Sequence, residues 1–224
     1  MRPTAFAGAA DLLLHQQTLS LLPERAVYWH EQQCLIVADV HLGKAQVFQR
    51  AGIPISNQSF HHDLERLHQL ALQCQAKQLI ILGDFVHHAS GLTPKVRMAI
   101  ASWCKQFPAK IFLITGNHDK PNLPFLNSLC IEKTGLLYKA PFAFAHEYAS
   151  QHHHFLFSGH IHPVISMQPN LRLPVFAFYP NHGILPAFSY FTGGVAPARL
   201  GLKLLFVVAQ DDGVVMQLPV KSGY

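Results

Sequence analysis

Residues 111–119 read Ile111-Phe112-Leu113-Ile114-Thr115-Gly116-Asn117-His118-Asp119, an apolar run that stops at a glycine followed by three polar side chains. Two segments upstream share this design. Cys34-Leu35-Ile36-Val37-Ala38 ends in Asp39-Val40-His41, and Leu79-Ile80-Ile81-Leu82 ends in Gly83-Asp84. Short apolar runs with such stops read as buried strands. Between them, Leu64, Leu67, Ala71 and Cys74 fall at helical spacing, so a helix is expected from Phe60 to Cys74. Pro94 can open a second helix, with Val96, Ile100 and Trp103 on its inner face. The first half therefore reads βαβαβ. The stretch holding Gly43, Gly52 and Pro54 reads as a loop.

After Pro121 and Pro124 the helical signal fades. Strands are expected at Phe142–Ala145, Phe155–Phe157, Val175–Phe178 and Leu204–Val208. Asp212-Gly213, between Val207-Val208 and Val214-Val215, is a hairpin signal. The second half is thus mainly β. No repeat, low-complexity segment or linker divides the chain, so one domain over residues 1–224 is expected.

Composition narrows the class. Half of the 224 residues are apolar and only 13% are charged, which describes a packed enzyme-sized unit and excludes a disordered tail. The formal charge of +5 suits an anionic ligand, although the Lys and Arg residues form no run. Cys34, Cys74, Cys104 and Cys130 are far apart with no Cys-x-x-Cys pair, which reads as free thiols in a reducing compartment. With no secretory signal pattern and no apolar run of membrane-spanning length, the expected location is the cytoplasm, with no membrane partner.

Sixteen histidines are the anomaly, and their positions carry the chemistry. Five segments follow apolar runs: Asp39-Val40-His41, Gly83-Asp84, Gly116-Asn117-His118-Asp119, His146 after Phe144-Ala145, and Gly159-His160-Ile161-His162. Loops beyond the carboxyl ends of strands converge in open α/β sheets, so these groups are expected to meet. Oxygen and imidazole donors suit manganese, iron, zinc or cobalt better than calcium. Residues two apart on extended chain point the same way, so Asp39 with His41, and His160 with His162, are expected to reach one cluster. A carboxylate such as Asp84 can bridge two cations ~3.5–4 Å apart, as two-metal hydrolysis requires. The glycines before Asp84, Asn117 and His160 permit close backbone approach. His152-His153-His154 reads as a solvated loop, and His61, His62 and His68 lie on a helix, away from the cluster. His87 and His88 divide between a role beside the site and loop packing. Lys44, Arg50 and Lys120 read as surface cations that could alternatively meet phosphate. The aromatic set Phe176, Phe178, Tyr179, Phe188, Tyr190 and Phe191 reads as sandwich core.

The ordered set Asp-x-His, Gly-Asp, Gly-Asn-His-Asp, His and Gly-His-x-His resembles the calcineurin-like metallophosphoesterase superfamily over roughly residues 34–190. Ala38–Lys44, Ala51-Gly52-Ile53-Pro54, Gly159–Pro163, Leu185-Pro186-Ala187-Phe188 and Phe191-Thr192-Gly193-Gly194 resemble its bacterial ligase-associated DNA-damage-response (PdeM-like) branch. The resemblance implies an α+β fold of four layers, αββα, with a central β-sandwich flanked by helices and metals at the strand ends. It implies that Asp39, His41 and His162 hold one metal, that Asn117, His146 and His160 hold a second, and that Asp84 bridges them. His118 would protonate the leaving alkoxide and Asp119 would orient it. The cofactors implied are two divalent ions, manganese first, with iron, zinc, cobalt or magnesium as alternatives. Where relatives carry His-Glu-Pro, this chain has His146-Glu147-Tyr148.

The expected activity is hydrolysis of phosphodiesters, including DNA or RNA, in a DNA-repair setting associated with DNA ligase and helicase. A phosphomonoesterase or nucleotide phosphatase is the alternative enzyme. A non-catalytic scaffold on the same fold would have lost ligands or His118, and this chain keeps them.

Overall fold

The structure is a computed structural model that describes residues 6–53, 59–148, 153–168, 171–190, 192–209 and 212–220. Pro54, His152 and Phe191, named above, lie outside the described residues.

Two sheets form the core. The first contains β1 (Ala10–Leu14), β2 (Gln17–Leu22), β3 (Ala26–Trp29), β4 (Cys34–Val37), β5 (Gln78–Leu82), β6 (Lys110–Ile114) and β7 (Glu132–Thr134), in that order. Its β1–β4 half is an antiparallel meander, and from β4 to β7 the strands run parallel. The parallel crossovers carry the helices: α1 (Lys44–Arg50), α2 (Ser59–Gln73), α3 (Pro94–Gln106) and the one-turn α4 (Leu123–Leu126). Thr93 caps α3, its hydroxyl accepting from the Val96 N–H, and Pro94 occupies the first turn, where a missing N–H is harmless.

The second sheet contains β8 (Leu136–Lys139), β9 (Phe142–Ala145), β10 (Phe155–Ser158), β12 (Leu171–Tyr179), β13 (His182–Ile184), β14 (Leu204–Ala209) and β15 (Val214–Leu218), with β11 (Val164–Gln168) paired to β12. Its spatial order is β15-β14-β12-β13-β10-β9-β8, and β9, β10 and β13 are parallel.

Alternation along the strands builds two cores. Ile36, Ile80, Phe112 and Trp29 face Phe142, Phe144, Phe157, Phe176 and Phe178 between the sheets. The opposite side of the first sheet, with Leu35, Ile81 and Leu113, packs on Leu67, Ala71, Ile100 and Trp103 of α2 and α3. Fully burying side chains of this size stabilises by about 1.5–3 kcal/mol each before chain entropy is counted. The α+β sandwich is as expected. All helices among the described residues lie in the first 126 positions, and the outer side of the second sheet holds only a small cluster of Ala143, Ala145 and Leu156.

Several elements differ from the sequence-based reading. The stretch after His41 contains α1, seven residues opened by Gly43 at φ 83° with no side-chain cap, where a loop is expected. A one-turn helix, α4, forms between Pro121 and Asn127. The meander β1–β3 precedes the expected βαβαβ unit.

Candidate metal centre

The strand order places the five polar segments at one edge. Asp39, Asp84 and Gly116–Asp119 follow the parallel strands β4, β5 and β6, while His146 and His160 follow the parallel β9 and β10. The edge is sewn together by backbone bonds. The His41 N–H donates to the Asp84 carbonyl (2.8 Å), Leu42 N–H to Phe85 (2.9 Å), and Phe188 N–H to Ala38 across the two sheets (2.7 Å).

Here the extended conformation expected for Asp39-x-His41 and His160-x-His162 is not what the chain adopts. Ten described non-glycine residues have positive φ, and five are Asp39 (53°), His41 (51°), Asp84 (49°), His160 (71°) and His162 (48°). The left-handed region costs an L-residue roughly 1–2 kcal/mol. Half of the strained residues therefore fall on five side chains that converge, and such clustering marks functional sites.

Each buried carboxylate commits one oxygen to a neighbouring loop and aims the other inward. Asp39 Oδ2 accepts from the His160 N–H (2.9 Å), and Asp84 Oδ1 accepts from the His118 N–H (2.9 Å). Asp39 Oδ1 is 3.4 Å from His162 Nε2 and 3.8 Å from His146 Nδ1, and Asp84 Oδ2 is 3.5 Å from His146 Nε2. Glycines make these contacts fit. A Cβ on Gly159 would come 2.5 Å from Asp39 Oδ2, and one on Gly116 would come 2.3 Å from Asp84 Oδ1.

The imidazoles are set by carbonyls. His146 Nδ1 is 2.9 Å from the Leu82 carbonyl, and His162 Nδ1 is 3.1 Å from that of Gly193. A carbonyl only accepts, so each Nδ1 carries a proton and each Nε2 turns a lone pair inward. The Nε2 of His162 meets that of His41 at 3.4 Å, and that of His146 meets His160 Nδ1 at 3.1 Å. Among the described residues three triads have one donor atom per residue within 4.8 Å of the others: two that include a carboxylate, Asp39, His41, His162 and Asp84, His146, His160, and a third of His41, His87 and His118.

The residues fit a cation. Asp39 Oδ1 is fully buried without a hydrogen-bond partner, a costly state for a carboxylate unless positive charge faces it. His41 has its pKa lowered to about 2 by burial and by the charges of Lys44, His162, His87 and His118, which keeps one ring nitrogen unprotonated. For His162 burial opposes protonation, yet the neighbouring Asp39 more than offsets it and raises the pKa. Positive charge between Asp39 and His162 is stabilised.

The other expected residues fall into place unevenly. Asn117 is exposed and, with His146 and Lys120, lines a cleft beside the second triad. His118 has its Nε2 4.0 Å from Asp84 Oδ2. Its Nδ1 lies 2.6 Å from the His87 carbonyl. Asp119 does not orient it: the Asp119 carboxylate is fully buried and accepts from the Val86 N–H (3.1 Å) and the Gly116 N–H (3.0 Å). Burial raises its pKa to about 6 despite those bonds. Asp119 is thus a clamp on the loop.

His87 joins the site, its ring stacked on His118 and its Nδ1 3.4 Å from His41 Nδ1, and burial lowers its pKa to about 4. His88 instead accepts from the Ser90 N–H at a one-turn helix. Nothing in residue type separated the two. Lys44 is half buried at the start of α1, and its charge acts on His41 and His87. Phe176 and Phe178 are sandwich core as expected, whereas Phe188 is buried in the helix-side cluster and Tyr190 packs on the Arg25 and Arg66 guanidiniums.

The family model for calcineurin-like phosphoesterases matches residues 33–186, which span all seven expected ligands. Nuclease MPE of Pseudomonas putida superposes with a TM-score of 0.82 at 33% identity, over 94% of this chain and 100% of that one. Yfce, a phosphoesterase from E. coli, superposes with a TM-score of 0.45 at 18% identity, over 84% and 99% of the two chains. No curated protein matches. Two Asp/His triads at the carboxyl ends of parallel strands, within the span the family model covers, make this chain a member of the calcineurin-like phosphoesterase family, a metal-dependent phosphoesterase.

Proposed function

We propose that the chain is a binuclear phosphodiesterase acting on nucleic acid. The observation that carries this is the adjacency of the two triads: Asp39 Oδ1 and Asp84 Oδ2 both lie within 4 Å of His146, so the two cation positions would share a wall. In this reading Asp39, His41 and His162 would hold one metal, Asn117, His146 and His160 would hold the other, and Asp84 would be shared between them. Divalent ions there, manganese first, would polarise the ester and acidify water at neutral pH.

The chain's own residues do the rest. His118 keeps its Nδ1 proton on the His87 carbonyl and turns Nε2 toward the cluster, so protonated Nε2 can give its proton to a leaving alkoxide. Stacking on His87 holds that ring in line. Lys44 and Lys120 flank the centre and would meet the non-bridging oxygens or the adjoining phosphate. The similarity to a protein described as a nuclease supports nucleic acid over small phosphomonoesters. The one-domain organisation, a cytoplasmic setting and a repair role beside DNA ligase and helicase are part of the same proposal. No helix among the described residues is long and apolar enough to cross a membrane.

The test is hydrolysis of bis-p-nitrophenyl phosphate against p-nitrophenyl phosphate with added manganese, followed by single-stranded DNA. Diester turnover well above monoester turnover is expected. The reverse order would favour the monoesterase.

A further inference from the structure

Beside the metal centre lies a second cleft of about 410 Å³ that the hydrolytic machinery does not use. Its lining includes Tyr148, Ile161, Tyr179, Asn181 and His182. Two of these tie it to the ligand loops along the chain. Ile161 stands between the ligand candidates His160 and His162, and Tyr148 is two residues beyond His146.

The cleft is built of rings. Tyr148 and His182 have centroids 4.4 Å apart, and His182 stacks on Tyr179 at 5.5 Å with planes 17° apart. The inner members are fixed: the Tyr179 hydroxyl donates to the Ala198 carbonyl, and His182 is paired with Ser158 Oγ at 3.0 Å. The outer member is open, Tyr148 being 58% exposed. The row of three rings, tilted by 37° between Tyr148 and His182, thus ends in an exposed tyrosine that offers an accessible aromatic surface among the described residues, and Asn181 adds an exposed amide that can both donate and accept.

We infer that this cleft is a base-stacking subsite: the nucleobase attached next to the scissile phosphate continues the row on Tyr148, with its polar edge toward Asn181. Resting on the diesterase reading above, it specifies the substrate as a nucleic-acid strand with an unpaired base at the cut, since a base inside a duplex already has both faces covered. Stacking on an aromatic side chain is tolerant of base identity, so sequence preference should be weak.

The experiment compares a single-stranded dinucleotide with the same dinucleotide carrying an abasic sugar, using full-length protein loaded with manganese. The wild type should show a KM roughly ten-fold lower for the base-bearing substrate. Y148A should erase that preference and Y148F should retain it. Equal KM values in the wild type, or a preference that survives in Y148A, would overturn the subsite while leaving diester hydrolysis intact. Failure to cut either dinucleotide while p-nitrophenyl phosphate is turned over would overturn the diesterase reading, and the subsite with it.

Discussion

His118 Nδ1 lies 2.6 Å from the His87 carbonyl oxygen, and the two imidazoles stack with centroids 4.8 Å apart. The loop after β5 thereby fixes which nitrogen of the loop after β6 faces the metal ligands. A backbone carbonyl at this position enforces one tautomer without adding a charge that would compete with the cations.

From this relationship, His118→Ala should retain metal and lose roughly 10²–10⁴-fold in kcat on esters with alkoxide leaving groups. The loss should be much smaller on bis-p-nitrophenyl phosphate, whose phenolate departs without help from an acid. Steady-state kinetics on both substrates, with metal content measured in parallel, checks the contrast. Full activity toward an alkoxide ester would remove His118 from the acid role.

Asp119 acts elsewhere. Its carboxylate closes the loop by accepting from Gly116 and Val86, so Asp119→Ala strands two buried N–H groups. That should cost roughly 2–4 kcal/mol of stability. A denaturation midpoint that does not move would contradict the clamp.

Gly159→Ala probes the packing on Asp39. The new methyl group would sit 2.5 Å from Asp39 Oδ2 and 2.7 Å from the Ala38 side chain, both fully buried. Overpacking of this kind costs about 1–3 kcal/mol. Because Asp39 must give way, the variant should also bind less metal than the wild type, which elemental analysis of purified protein would show.

Stability should fall with acid through His182. Burial lowers its pKa from 6.5 to about 4, with Ser158, Tyr148 and Tyr179 around it. The folded state thus holds the proton less tightly than the unfolded chain. Its contribution is complete above pH 6.5 and is lost as pH falls toward 4. The loss should be on the order of 1–3 kcal/mol. Urea denaturation at several pH values should show this slope in the wild type and a shallower one in His182→Gln.

The parallel half of the first sheet was legible because β4, β5 and β6 are buried on both faces and leave unbroken apolar runs. The meander before them was not. Its turns place His15 (φ 49°), Gln16 (φ 62°) and Arg25 (φ 65°) in the left-handed region where Gly or Asn would have announced them. Helix α1 carries no start signal for a similar reason, since Gly43 opens it and no side chain caps it. In the site, the convergence of Asp39, His41, Asp84, His146, His160 and His162 followed from residue type and strand-end position. The backbone conformation of the motifs did not, because left-handed Asp and His residues are held there by tertiary bonds. The partner of His118 was also hidden: a carbonyl oxygen belongs to every residue and leaves no trace in side-chain identity.

The most direct test of the two-metal centre is the manganese content of the purified, reconstituted protein, measured for the wild type and for Asp84→Asn. Two ions per chain in the wild type, falling to one or none in the variant with loss of diester hydrolysis, is the predicted result. A single ion in the wild type, or an undiminished count in Asp84→Asn, would contradict it.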